Sequence, residues 1–170
     1  MRYDTRFRLP ALVAVGLAAF APLALAQSAS ADAFGRLQGL AGAWEADSPA
    51  GGKLTSTMVL VSKGTAIEET IGTPAENEVS LYTRAAGRIV MTHYCALTAE
   101  GNQVRLEARV TAASQDEFVF SFAGATNLGR DDPHMRRMVL RLRDASHFSE
   151  VWTMRKKGKD TVFTLDFARK

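Results

Sequence analysis

From Gly42 to the C-terminus, apolar and polar residues alternate with a period of two. This is the pattern of half-buried β-strands, whose successive side chains point to opposite faces. Val104, Leu106, Ala108 and Val110 alternate with Arg105, Glu107 and Arg109, and Met138, Leu140 and Leu142 oppose Arg137, Arg141 and Arg143. Phe118, Phe120 and Phe122 share one parity, as do Phe163, Leu165 and Phe167. Turn-forming residues divide the region into ten candidate strands: Ala43–Asp47, Lys53–Ser62, Thr65–Gly72, Glu78–Arg84, Arg88–Leu97, Gln103–Ala112, Glu117–Ala123, Met135–Arg143, Phe148–Arg155 and Thr161–Ala168. Lys63-Gly64 reads as a two-residue hairpin turn. Just upstream, Phe34, Leu37, Leu40 and Ala41 fall at helical spacing, and the glycines within 33–41 make that helix short and weak. About nine or ten short strands in sequential order predict an all-β fold. The expected architecture is one up-and-down antiparallel β-barrel over residues 33–170, preceded by a short N-terminal helix.

Residues 1–26 follow a different pattern. Arg2, Arg6 and Arg8 lead an apolar run from Leu9 to Ala26 that ends in Ala24-Leu25-Ala26, a small-x-small cleavage site. This reads as an export signal, with Gln27 as the new N-terminus and a periplasmic or secreted product. No cysteine follows the apolar run, so lipid acylation there is not expected. No later segment is apolar for long enough to cross a bilayer as a helix, so no stable membrane insertion is expected after cleavage.

Cleavage changes the charge argument. The 170-residue chain carries +3, from 21 basic and 18 acidic residues. The leader holds three arginines and Asp4, so the remainder is close to neutral, with a net charge of +1. That balance gives no electrostatic reason to expect nucleic acid as a partner. The basic stretches at Arg136-Arg137, Arg141, Arg143 and Lys156-Lys157 lack aromatic interleaving on the same face and read as a solvated outer surface. The chain contains no P-loop, dinucleotide-binding glycine motif, nucleophile elbow or H-E-x-x-H.

The candidate chemistry concentrates in Arg88–Leu97, which carries the single cysteine and one of three histidines. Parity groups Ile89, Met91, His93, Cys95 and Leu97 against Val90, Thr92, Tyr94 and Ala96. A lone thiol persists in an oxidising compartment most easily when buried, which turns the His93–Cys95 face inward. The expected function is binding of a small, mostly apolar molecule inside the barrel. Met58, Met91, His93, Cys95, Phe120, Met138, Glu150 and Trp152 are the candidate lining residues. One of Glu68 and Glu69 must also face inward, because they take opposite parities. A second reading makes the barrel a metal- or haem-binding protein through His93, Cys95 and His134, since imidazole and thiolate suit zinc, copper or iron. A third is an envelope structural or interaction protein with a filled barrel. Catalysis by a Cys95–His93 pair is not favoured, because no helix N-terminus is expected nearby to activate the thiol.

Leu40-Ala41-Gly42-Ala43-Trp44 gives a helix followed by G-x-W, and here the chain resembles the calycin superfamily of lipocalin-like barrels. The resemblance implies that Gly42 lets the chain turn into the first strand and that Trp44 plugs the closed end, with Arg169 as its partner. Within that superfamily the chain is similar to a group of bacterial, often exported, barrel proteins without an assigned activity. The matching pieces are F-x-x-L-x-x-L-A-G-x-W from Phe34 to Trp44, Thr92-His93-Tyr94-Cys95, Gly101-Asn102-Gln103, Thr126-Asn127, His134-Met135 and Trp152. Val104 stands where proline commonly follows G-N-Q in that group, and extra residues separate Cys95 from Gly101. The resemblance implies the fold, and haem through a histidine is known in some calycin barrels. The export reading predicts that N-terminal sequencing of the exported protein begins at Gln27 or within a few residues of it; a full-length cytoplasmic product would contradict it.

Overall fold

Gly39 and Gly42 mark the change from helical to extended backbone. In the computed structural model, which describes residues 31–73, 76–85, 87–98, 101–110 and 116–170, helix α1 spans residues 31–38. It buries Ala33, Phe34 and Leu37. Expected over 33–41, it stops earlier because Gly39 and Leu40 close a turn back onto Arg36 O and Leu37 O. Gly42 then takes a φ of +140°, where an L side chain is strained, and leads into the first strand. The segment expected to be the export signal lies outside the described residues.

Ten strands follow: β1 Gly42–Asp47, β2 Lys53–Val61, β3 Ala66–Gly72, β4 Asn77–Ala85, β5 Arg88–Cys95, β6 Asn102–Arg109, β7 Glu117–Thr126, β8 His134–Asp144, β9 His147–Lys156 and β10 Lys159–Arg169. Each pairs antiparallel with its sequence neighbours, and β1 pairs with β10, so the sheet closes into an up-and-down barrel. The all-β expectation, the strand count and the short helix are all met. The closing seam is brief, consisting of Trp44↔Arg169 and Glu45↔Ala168. No helix among the described residues is long and apolar enough to cross a membrane.

Parity decides what fills the barrel. Ile89, Met91, His93 and Cys95 of β5 are buried, as are Val104, Leu106 and Ala108 of β6 and Phe148, Glu150 and Trp152 of β9. On β3 the inward carboxylate is Glu69, which shares its parity with Ile67 and Ile71. Burial of large apolar side chains such as these stabilises the fold by about 1.5–3 kcal/mol each.

One end of the barrel is sealed by α1 and by Trp44. The Trp44 ring is fully buried, its Nε1 donates to Leu40 O at 2.8 Å, and Phe148 packs edge-on at 4.8 Å between centroids. The Arg169 guanidinium carbon lies 4.0 Å from the centre of that ring. Its three nitrogens donate to Gly39 O, Ala41 O and Ala145 O, each at 3.1 Å. Gln38 Nε2 adds a 2.8 Å bond to Gly64 O, tying α1 to the turn between β2 and β3.

Two local expectations are corrected. Lys63-Gly64 is not a two-residue hairpin. Ser62–Gly64 forms a 3-10 turn closed by Thr65 N donating to Ser62 O, with Ser62, Lys63 and Gly64 all at positive φ. Phe122 does not join Phe118 and Phe120 in the core and is 41% exposed. The β7–β8 ladder ends at Ser121↔Arg137, and the β6–β7 register shifts beside Leu106, so β7 continues to Thr126 paired only with β6. Released from β8, the Phe122 ring lies 5.3 Å from that of His134.

A Cβ placed on Gly42 would come 2.5 Å from Arg169 Nη1, so these two residues share one space. Arg169→Ala should cost about 2 kcal/mol through lost charge-assisted hydrogen bonds and ring contact. Gly42→Ala should also destabilise, through strain and displacement of the guanidinium. Denaturant unfolding of the double variant should show less than the sum of the two losses, by about 0.5 kcal/mol or more, because one substitution removes the other's clash. Strict additivity would contradict the shared position.

Candidate functional site

The β-ladder registers place a polar cluster inside an otherwise apolar wall. Glu69 of β3 faces Ser80 of β4, and Ser80 faces His93 of β5. One rung toward the open end, Cys95 faces Asn102 of β6. Continuing the β4–β5 register past Val79↔Tyr94 brings Glu78 level with Cys95. Side chains two apart on a strand share a face, so Glu78, Ser80 and Tyr82 all turn toward the interior.

His93 is 1% exposed, and its Nδ1 lies 3.0 Å from Ser80 Oγ. Its Nε2 approaches Glu78 Oε2 at 3.2 Å, yet Nε2 has no hydrogen-bond partner. The ring packs 4.9 Å from that of Trp152. Cys95 Sγ donates to Asn102 Oδ1 at 2.7 Å, and Asn102 Nδ2 donates to Pro133 O at 2.8 Å. Burial, and then the nearby Glu78 charge, push the Cys95 thiol up to about 12. The metal-free thiol is therefore protonated at neutral pH and a poor nucleophile.

Deeper in the barrel, Glu69 accepts from Ser56 Oγ at 2.7 Å and from Tyr82 Oη at 2.8 Å. Trp152 Nε1 donates to Glu150 Oε2 at 2.8 Å, while Glu150 Oε1 has no partner. Both carboxyls are fully buried, and among the described residues no lysine or arginine is buried with them. Loss of hydration raises both above the ordinary range. For Glu69 the two hydrogen bonds and His93 oppose that shift, whereas for Glu150 the Glu69 charge adds to it.

All eight expected lining residues face inward, but they do not share one open space. Met58, Met91, Phe120 and Met138 lie fully packed in the hydrophobic core. The space lined by Leu37, Leu40, Met58 and Tyr82, near the closed end, has no room for a water molecule. A cleft of about 590 Å³ lies instead at the opposite end, walled by Leu54, Ile71, Leu97, Met135 and Phe163, with Trp152 and Glu78 also lining it. Of the eight, only Trp152 reaches it; His93 touches both Trp152 and Glu78 just beneath.

His134 does not join His93 and Cys95. It begins β8 beside Phe122, with Nδ1 3.1 Å from Asp132 O. Glu78 takes the position expected for it: one ligand atom each from Glu78, His93 and Cys95 lies within 4.8 Å of the others. The parity of β4, which repeats across Glu78, Ser80 and Tyr82, was the sequence signal for this partner. No protein-family model matches the chain, and no curated protein matches it.

The buried carboxyls make stability depend on pH in a defined direction. Their folded-state values lie above the ordinary 4.5, so the folded state retains protons that the unfolded chain releases. Their contribution is complete below that value and is lost as pH rises through the interval above it, at up to about 1.4 kcal/mol per pH unit for each carboxyl. Unfolding free energy measured in denaturant should fall between mildly acidic and mildly alkaline pH. Glu150→Gln, which cannot ionise, should flatten that decline; an unchanged slope would contradict a raised Glu150.

Proposed function

We propose that the protein is an exported binding protein that holds one small, mostly apolar molecule at the open end of its barrel. The observation that carries this reading is the cleft of about 590 Å³, within the range of small-molecule sites. Its aliphatic and aromatic walls suit an apolar body. The polar groups at its floor, Glu78 and the His93 ring behind it, suit a neutral or cationic head group, because no arginine or lysine among the described residues lines the cleft. The filled core on the α1 side limits the ligand to the open half of the barrel.

A neutral fluorescent probe, N-phenyl-1-naphthylamine, tests the reading. It should bind saturably to one site, with enhanced emission. Leu97→Trp, which narrows the cleft from just past the end of β5, should weaken binding about tenfold or more, equivalent to about 1.4 kcal/mol. The unfolding midpoint should stay near that of the unmodified protein, because Leu97 is only partly buried. Absence of saturable binding, or equal affinity in the variant, would overturn the cleft as the ligand site.

A further inference from the structure

We infer that Glu78, His93 and Cys95 form a binding site for a divalent metal ion of the zinc type at the floor of the open end. This inference does not rest on the small-molecule reading. Imidazole nitrogen, carboxylate oxygen and thiolate sulfur make a borderline-to-soft donor set that suits zinc, cobalt or copper and not magnesium or calcium. The three side chains come from two adjacent strands, β4 and β5, so a rigid ladder holds their spacing.

Three geometric features point to a cation. First, His93 Nε2 and Glu78 Oε2 are 3.2 Å apart. Two ligands of a tetrahedral ion bound at about 2.0 Å sit at nearly this separation. Second, Nε2 is buried and unpartnered. In the tautomer whose Nδ1–H is directed at Ser80 Oγ, Nε2 carries a lone pair and lies 3.2 Å from a carboxylate oxygen, two acceptors side by side that a cation bound to both would reconcile. Ser80 is then the positioning residue that sets the tautomer. Third, Cys95 Sγ lies within 4.8 Å of one ligand atom from each of the other two side chains, so all three converge on one small volume. The thiol proton leaves as the sulfur–metal bond forms, and Asn102 Oδ1 is freed from its bond to Sγ.

Three protein ligands leave a fourth position open. Glu78 also lines the cleft, so that position faces the space in which a water or a ligand atom would sit. Among the described residues no lysine or arginine is buried in the interior, so no fixed positive charge there opposes a cation.

The test uses the full chain, kept reduced, freed of metal with a chelator, and titrated with cobalt(II) chloride. One equivalent should produce a near-ultraviolet thiolate-to-cobalt charge-transfer band, which zinc abolishes by displacement. Cys95→Ser should lose that band. Ser80→Ala should weaken cobalt binding by about 10- to 100-fold while leaving the band in place at saturation, as expected for a positioning residue. Glu78 is 31% exposed, so Glu78→Gln should keep the fold, verified by circular dichroism, and should lower cobalt affinity tenfold or more. His134→Ala should bind as the unmodified protein does. The proposal is overturned if the unmodified protein gives no charge-transfer band, if Glu78→Gln retains full affinity, or if His134→Ala abolishes binding. Naphthylamine binding is read by a separate signal, so failure of the metal site and failure of the cleft are distinguishable.

Discussion

Closure of the sheet between β1 and β10 is the constraint on which everything else in the barrel depends, and it rests on two paired positions. Trp44↔Arg169 and Glu45↔Ala168 are a short ladder for a ten-stranded sheet. The same residues reinforce it from the side: Trp44 fills the closed end, while Arg169 lies against its ring and bonds carbonyls from the α1–β1 connection and the β8–β9 turn. A closed sheet has no free edge, so every strand's inward parity faces one shared interior. Opening the seam would expose two edges and place the inward polar residues in water.

That interior is unusual in what it encloses. Buried charges need partners or must become neutral. Here Glu69 has a hydroxyl from each of two neighbouring strands, Glu150 has a single indole N–H, and among the described residues no buried arginine or lysine offsets either. Burial raises both carboxyls, which favours their neutral forms. Polar groups are graded along the barrel axis: apolar packing fills the α1 end, the carboxyls lie in the middle, and His93, Cys95 and Glu78 lie below the open cleft. Such a gradient suits a site that admits a ligand or ion from one end and gives it a polar floor.

Much of the candidate site was legible from single-strand parity. The alternation through Arg88–Leu97 put His93 and Cys95 on one face, the lone thiol turned that face inward, and the same alternation put Glu150 on one face with Trp152. What parity on one strand does not carry is alignment between strands. Glu78 meets His93 because the β4–β5 register sets Ser80 across from His93, and a shift of one residue would have turned Glu78 to solvent. His134, expected beside His93 and Cys95 as a third ligand, lies elsewhere for the related reason that its position depends on strand alignment. β8 instead begins at His134 itself, with the ring against Phe122 outside the β7–β8 ladder. Phe122 failed the parity rule because that rule assumes a partner on both sides, and β7 loses one after Ser121.

The sequence by itself determined the class of fold: period-two alternation, turn residues at close spacing and the helix-G-x-W entry are local signals, each decided by backbone sterics and side-chain size. It also determined which side chains share a face wherever the ladder runs unbroken, because there that follows from pleat geometry alone. Only the tertiary structure decided which rung meets which, where the barrel is filled and where it is open, and that Glu78 is the partner of His93 and Cys95. Those outcomes depend on register, closure and bulges, which arise from contacts between residues far apart in the chain. Local preference is blind to them, because their energies exist only once the strands have met.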